Sequence, residues 1–171
     1  MVSVGRKSDV IMEEETFNCI QWLQYYKGEI ERIKDASPFL TILGISAGIE
    51  FLGKLLSTDS LNDGSNCGHK FEDALSTFTS LRRYSGKNLY HLVRCGLAHR
   101  ISVQEGIVLS SERNSDLDAH PIVINTNEFY NDFVEAINEA QRKNDWANPF
   151  AMQNYVTLLN RTDTGMTANY L

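Results

Sequence analysis

The sequence predicts a mainly α-helical domain, a bundle of about five helices with a small β-hairpin inserted before the last long helix. Two observations lead to this prediction. Long segments place apolar residues at three- and four-residue steps, which is the period of a helix with one buried face. Two short segments, 101–109 and 121–125, are instead rich in Val and Ile, with polar Gly-, Asn- and Asp-containing segments nearby, which predicts a small β-hairpin or a pair of strands.

Two helices are predicted in the first half of the chain. The second begins at Ser37-Pro38, because a serine hydroxyl caps a helix and a proline at the first position lacks an N–H that would be unpaired there. It runs to about Leu56. Gly44 and Gly48 lie four residues apart, and we expect them to allow tight packing inside the domain. The first helix covers 9–34, with apolar positions at Phe17, Ile20, Leu23, Tyr26, Ile30 and Ile33.

The second half of the chain is predicted to hold the remaining elements. Residues 57–69 are rich in Ser, Asn, Asp and Gly and are predicted to form a loop. We expect one domain over 1–160, with 161–171 as a flexible C-terminal tail or an arm that orders on a partner. The predicted helices cover 70–84, 87–99, a segment from a Thr126 or Asn127 cap to about Lys143, and a short helical segment at 150–160. The expected inward residues are Phe71, Ala74, Leu75, Phe78 and Leu81 in the third helix and Phe129, Phe133, Ile137 and Ala140 in the fifth.

Composition and charge restrict the classes of function. The 171 residues carry a formal net charge of −6, which argues against broad, non-specific nucleic-acid binding but leaves room for a local phosphate site. The three cysteines are widely spaced and match no zinc-ligand pattern, so we expect a reducing, cytoplasmic setting and neither metal nor cofactor. The N-terminus has no apolar core typical of a signal peptide. Segment 39–56 carries Glu50 and Lys54, so a buried core helix is expected rather than a membrane span.

Arg94 and His99 are the strongest candidates for chemistry. Arginine offers a planar, permanently charged fork for phosphate oxygens, and histidine exchanges a proton near neutral pH. Together they suffice for phosphodiester cleavage without a metal, because the histidine serves the attacking or leaving hydroxyl while the arginine stabilises the charge on phosphorus. On a regular α-helix a five-residue step turns the two side chains about 140° apart, so they converge best if His99 lies in a fraying last turn.

Three further residues are candidates for substrate binding, each with a structural alternative. Glu50 would face Arg94 or His99 across the bundle, or form an ion pair with Lys54 one turn on. His91 would line the same cleft, or be a partly buried histidine. It is too far from His99 to share a metal ion, since two helical turns rise by about 12 Å. A nucleophilic role for Cys95 is less favoured than a structural one, because no third group supports it.

The stretch Leu89-Tyr90 followed by Arg94-Cys-Gly-Leu-Ala-His99 resembles the HEPN superfamily (higher eukaryotes and prokaryotes nucleotide-binding). Its members are helical bundles with an Arg-x(4–6)-His motif near the end of a late helix. The order of elements over about 15–143 is similar in outline, whereas only 89–100 is specific. The resemblance implies a metal-independent endoribonuclease, with Arg94 and His99 as its catalytic pair, and a homodimer in which two motif helices meet at one cleft.

Cys95 departs from this family pattern, because active members often carry Asn, Asp or His directly after the arginine, and cysteine is a poor hydrogen-bonding substitute. This departure motivates a second hypothesis, in which the chain is a non-catalytic dimeric module that binds RNA or nucleotides or regulates a toxin–antitoxin or phage-defence partner. A third hypothesis is a soluble helical domain in which Arg94 and His99 only satisfy local charges. The three hypotheses differ in whether the two side chains converge on an open cleft.

Overall fold

The structure is a computed structural model that describes residues 13–61, 64–100, 105–143, 145–148, 151, 154–160 and 167–170. For 13–17, 99–100, 154–160 and 167–170 it describes the backbone alone.

Helices make up most of the described chain, as the sequence predicts. A long α2 crosses the centre of the fold and packs against α1, α3 and α5. The helices are α1 (Cys19–Ile33), α2 (Pro38–Leu56), α3 (Cys67–Thr77), a 3-10 helix (Thr79–Tyr84), a π-helical turn (Tyr90–Cys95), α4 (Gly96–Arg100) and α5 (Thr126–Arg142).

A small two-stranded sheet precedes α5, at the position predicted from the Val- and Ile-rich segments. Its strands are β2 (Ile107–Ser110) and β3 (Ile122–Asn125). They pair in parallel, which agrees with the predicted pair of strands but not with a hairpin. Asp116, in the connecting segment, exchanges two backbone hydrogen bonds of 2.9 Å with Val123 in β3. The connecting segment therefore runs antiparallel along one edge of β3, and β2 pairs with the other edge.

A second sheet was not predicted. It has the order β1–β4–β5, with β1 (Glu13–Asn18), β4 (Asn154–Asn160) and β5 (Thr167–Tyr170), and both pairings are antiparallel. The prediction of a helical segment at 150–160 is therefore wrong over β4, whose Tyr-Val-Thr core favours a strand. The division at residue 160 and the flexibility of the tail stay predictions, and within 161–171 the structure describes only β5.

Local capping explains where the first helix and the last long helix begin. Asn18 accepts hydrogen bonds from the backbone N–H groups of Ile20 and Gln21, and the Gln21 side chain accepts one from the Asn18 N–H. This capping box starts α1 at Cys19, so the predicted start at residue 9 is wrong for the described residues 13–18. Asn125, one residue before the predicted cap, begins α5 by accepting from two N–H groups.

The predicted third helix is divided at Phe78, whose backbone is extended. The residues that follow are held to α5 by side chains. The Thr79 N–H donates to Glu139 Oε2 at 3.0 Å, and the Ser80 hydroxyl donates to the Asp132 carbonyl at 2.7 Å. These bonds draw the chain towards α5 and leave a tight 3-10 segment where a regular helix was expected.

The core of the fold lies around α2. By length and composition α2 is apolar enough to cross a membrane, but 56% of its most apolar window is buried inside the fold, as expected of a core helix. The Ser37 hydroxyl caps it as predicted. The described inward residues predicted for α3, the 3-10 helix and α5 are all buried.

Glycines set how closely other elements approach α2. A Cβ placed on Gly48 would lie 2.3 Å from Phe133 Cζ in α5, in agreement with the tight packing predicted there. At Gly53 a Cβ would lie 1.7 Å from the Lys70 backbone carbonyl oxygen, so α3 crosses α2 in direct contact with this glycine. The approach of α3 therefore depends on the absence of a side chain at residue 53.

We expect Gly53→Ala to lower the free energy of unfolding by roughly 1–3 kcal/mol or more, because the new methyl group meets backbone that cannot rotate away. Gly28→Ala is the matched control, because Gly28 lies inside α1 with nothing within 4 Å of its Cβ position. It should raise the free energy of unfolding by up to about 1 kcal/mol through helix propensity. Urea titrations followed by circular dichroism measure both, and a neutral Gly53→Ala would contradict the close crossing.

Candidate functional site

The segment that carries Arg94 departs from regular α-helix. Asn88, with a left-handed φ of 56°, begins it, and its carbonyl accepts hydrogen bonds from the N–H groups of His91 and Leu92. The π-helical turn over Tyr90–Cys95 then passes into α4. The step from Arg94 to His99 leaves the π turn at Cys95 and continues through α4, so the backbone keeps the two residues close to the angle expected on a regular α-helix.

Glu50 and Arg94 form an ion pair across the bundle. Arg94 Nε lies 3.2 Å from Glu50 Oε2, with 26% of the Arg94 side chain and 11% of the Glu50 side chain exposed. Both atoms are buried and their geometry is that of an ion pair, without the alignment of a hydrogen bond. Glu50 lies in the second-last turn of α2, so the pair joins the central helix to the π turn.

Lys54 is the second cation on the same carboxylate. Its Nζ lies 3.7 Å from Glu50 Oε1, which is the one-turn spacing expected from the sequence. The two interpretations of Glu50 are therefore both present in the fold, since it contacts Lys54 and Arg94 at once. One carboxylate between two cations leaves an excess of one positive charge at this place, although the whole chain has a net charge of −6.

Tyr90 and Cys67 border the ion pair, and their acid–base properties reflect it. Burial raises the pKa of the Tyr90 hydroxyl to about 12, and the nearby Cys95, Cys67 and Glu50 add to this rise while Arg94 opposes it. Burial, followed by a hydrogen bond and the negative charge of Glu50, also raises the pKa of the Cys67 thiol. Both groups are therefore protonated near neutral pH and act as hydrogen-bonding groups instead of bases.

The other predicted residues lie on different sides of the segment. His91 is exposed, and its ring meets the edge of Tyr90 with centroids 5.3 Å apart. Cys95 is half-buried at the end of the π turn. The backbone of His99 lies in α4, whereas its side chain is outside the described part of the structure. The structure thus brings Glu50 and Arg94 together and places His91 on an adjoining surface.

A cleft of about 390 Å³ opens beside this segment. Five of its six lining residues were not predicted as site residues, and His91 is the exception. His69 was missed because it was assigned to the predicted loop, although α3 begins at Cys67. Glu72 was placed correctly in the third helix, but no neighbouring residue completes a recognisable motif with it. The cleft is bounded by the start of α3 and the start of the π turn, and its lining residues are Gly68, His69, Glu72, Asn88, Tyr90 and His91.

Comparisons with known proteins returned no match: no family model matches this chain, and neither a curated protein nor a solved structure is similar to it. The assignment to the HEPN superfamily therefore stays a prediction that rests on residues 89–100. The function has to be argued from the geometry of the site itself.

The charges around Cys67 predict opposite changes in its reactivity. Glu50→Gln removes the negative charge that raises the pKa of the thiol, so more thiolate forms at pH 8 and alkylation by iodoacetamide should be faster. Lys54→Met removes a positive charge that lowers the same pKa, so alkylation should be slower. We expect each variant to change the alkylation rate of Cys67 roughly two- to fivefold, which corresponds to a shift of a fraction of a pKa unit. Peptide mass spectrometry measures this rate.

Cys19 provides the internal control for these rates. It is fully buried, and burial raises the pKa of its thiol to about 11, so it should stay unlabelled while the fold is intact. If both variants shift the Cys67 rate in the same direction while Cys19 stays protected, the electrostatic account of this cluster is wrong.

Proposed function

We propose that this chain is a metal-independent endoribonuclease of HEPN type that acts as a homodimer in the cytoplasm. The observation that carries the proposal is the partly exposed Arg94, held in place by the buried carboxylate of Glu50 on the helix segment that also bears His99. An arginine oriented in this way presents its outer N–H donors as a preformed site for phosphate oxygens.

The proposed reaction needs only groups from the RNA and two side chains. The ribose 2′-hydroxyl loses its proton as its oxygen attacks the neighbouring phosphorus, and the bond from phosphorus to the 5′-oxygen of the next nucleotide breaks. The leaving 5′-oxygen takes a proton, so the products are a cyclic phosphate and a free 5′-hydroxyl. His99 exchanges the proton of the attacking or leaving oxygen, and Arg94 stabilises the additional negative charge on the phosphoryl oxygens.

The local electrostatics support this assignment. The excess positive charge of the Glu50, Lys54 and Arg94 cluster attracts a phosphate to this place on an otherwise acidic protein. Because Tyr90 keeps its proton near neutral pH, its hydroxyl is available as a donor to a substrate oxygen and does not compete with His99 as a base.

A specific observation favours a second candidate function. Arg94 Nε is buried against Glu50, and the half-buried Cys95 follows it where an active relative would carry a strong hydrogen-bonding side chain. Under this alternative the domain binds RNA or nucleotides without cleaving them, as the regulatory partner in a toxin–antitoxin or phage-defence pair. The same cationic site would then hold a phosphate without the proton transfer.

Single-turnover cleavage of structured and unstructured RNA in EDTA distinguishes the two functions. We expect cleavage by the unaltered chain, a loss of roughly 10²–10⁴-fold in His99→Ala, and a loss of roughly 10²–10³-fold in Arg94→Ala. His99 acts as the proton carrier, so imidazole added to His99→Ala should restore part of the rate.

Arg113→Ala is the charge-matched control, because Arg113 is an exposed arginine on the connection between β2 and β3. It should cleave at the unaltered rate. If no cleavage occurs in EDTA while RNA still binds, the regulatory module is the better proposal. If cleavage survives unchanged in His99→Ala, the assignment of the catalytic pair is wrong.

If the chain dimerises through the motif helix, light scattering at micromolar concentration should give twice the monomer mass. Ala98 is exposed on α4, so Ala98→Glu should place two like charges in the interface, dissociate the dimer and abolish cleavage. Ala36→Glu, an exposed alanine in the turn between α1 and α2, is the control and should remain dimeric. A monomeric unaltered chain would contradict both proposed functions.

A further inference from the structure

We infer that the cleft between the start of α3 and the π turn is a nucleobase subsite that selects guanine, with Glu72 as the residue that reads the base. The inference deepens the proposed function and rests on the proposal that the chain binds RNA. It rests on the size of the cleft, the free oxygen of the Glu72 carboxylate, the rings beside it and the proximity of Tyr90 to Arg94.

The cleft has the size and the location of a base-binding site. Its volume of about 390 Å³ falls within the range of roughly 300–1,000 Å³ that is typical of small-molecule sites. Tyr90 lines the cleft and also lies within electrostatic reach of Glu50 and Arg94. A nucleotide with its phosphate at Arg94 therefore has its base beside Tyr90.

Glu72 is held so that one of its carboxylate oxygens is occupied. Its Oε1 accepts hydrogen bonds from the Ser85 hydroxyl and from the Gly86 N–H, the latter at 2.7 Å. No residue in the described ranges donates a hydrogen bond to Oε2. The two bonds restrict the rotation of the carboxylate, and the second oxygen stays available to a ligand in the cleft that Glu72 lines.

The remaining lining residues supply faces for stacking. The Tyr90 ring is fixed by Phe71, at a centroid distance of 5.7 Å, and by the edge contact with His91. His69 and His91 are exposed, one on α3 and one on the π turn. Unstacked RNA bases bind proteins by stacking on aromatic and histidine rings while their Watson–Crick edges form hydrogen bonds.

A carboxylate distinguishes the four bases by their donors. Guanine presents two adjacent donors, N1–H and the N2 amino group, to a negative acceptor. Adenine and cytosine place a ring-nitrogen acceptor beside their amino group, and uracil flanks its N3–H with two carbonyls, so each of these brings an acceptor towards the carboxylate. Correct pairing of donor and acceptor edges discriminates against the wrong base by about tenfold in affinity.

The test compares four short RNAs that differ in one base. Fluorescence anisotropy is measured with the full chain and labelled pentanucleotides of sequence UUXUU. X is each of the four bases in turn, as a 2′-deoxynucleotide, which removes the attacking hydroxyl at that position.

The unaltered chain should bind the guanine oligonucleotide about tenfold more tightly than the others. Glu72→Gln keeps an acceptor for Ser85 and Gly86 but loses the charge, and it should bind all four within about twofold. His91→Ala should weaken the binding of all four RNAs similarly, by roughly fivefold, because it removes a stacking surface.

Glu139→Gln is the matched control, because Glu139 also accepts a hydrogen bond from a backbone N–H, that of Thr79, and does not line the cleft. It should keep the guanine preference. Equal binding of all four RNAs, or a preference that survives Glu72→Gln or disappears in Glu139→Gln, overturns the inference. His99-dependent cleavage without any base preference would leave the nuclease proposal standing alone, and a guanine preference without cleavage would leave the subsite standing without the nuclease.

Discussion

The site depends on the ion pairs that the carboxylate of Glu50 forms with Lys54 and Arg94. Glu50 lies in the most apolar helix of the fold, where an isolated charge would be costly to bury. Two cations offset that cost by forming ion pairs with the carboxylate. Lys54 lies one turn along α2, and Arg94 lies on the facing π turn. Because removing one partner of a buried pair leaves an uncompensated charge, the three residues have to be considered as one unit. This unit determines where Arg94 lies, on the same π turn whose Tyr90 forms one wall of the adjoining cleft.

Much of the helical framework could be predicted because it follows from local rules. The serine and proline at the start of α2, and the apolar spacing of α3 and α5, depend on neighbours within one or two turns. The elements that were missed depend on distant partners instead. β1 exists as a strand beside β4, and the 3-10 segment exists because Glu139 and Asp132 in α5 bind Thr79 and Ser80. The spacing of apolar residues within one segment cannot predict such contacts between distant segments.

The residues of the candidate site also differ in whether the sequence marks them. Arg94 and Glu50 stand out in the sequence because a charge interrupts an apolar pattern, and they do meet in the fold. Glu72 and His69 carry no such signal, since polar residues near a helix start are ordinary. Their role in the cleft comes from the π turn, which places Tyr90 and His91 opposite α3. A π turn is a property of the backbone that propensities do not encode, so this half of the site could be recognised only in three dimensions.

The pairing of β1 with β4 has a consequence for how the chain folds as it is made. β1 is synthesised before any of the described helices, yet its hydrogen-bonding partner begins only at Asn154. During translation α1, α2 and α3 can associate through contacts that are close in sequence, while β1 waits with an unpaired edge for most of synthesis. The three negative charges of Glu13, Glu14 and Glu15 discourage such an edge from pairing with another chain in that interval. β1 also lies at one edge of the finished β1–β4–β5 sheet, where the same charges oppose pairing with another chain.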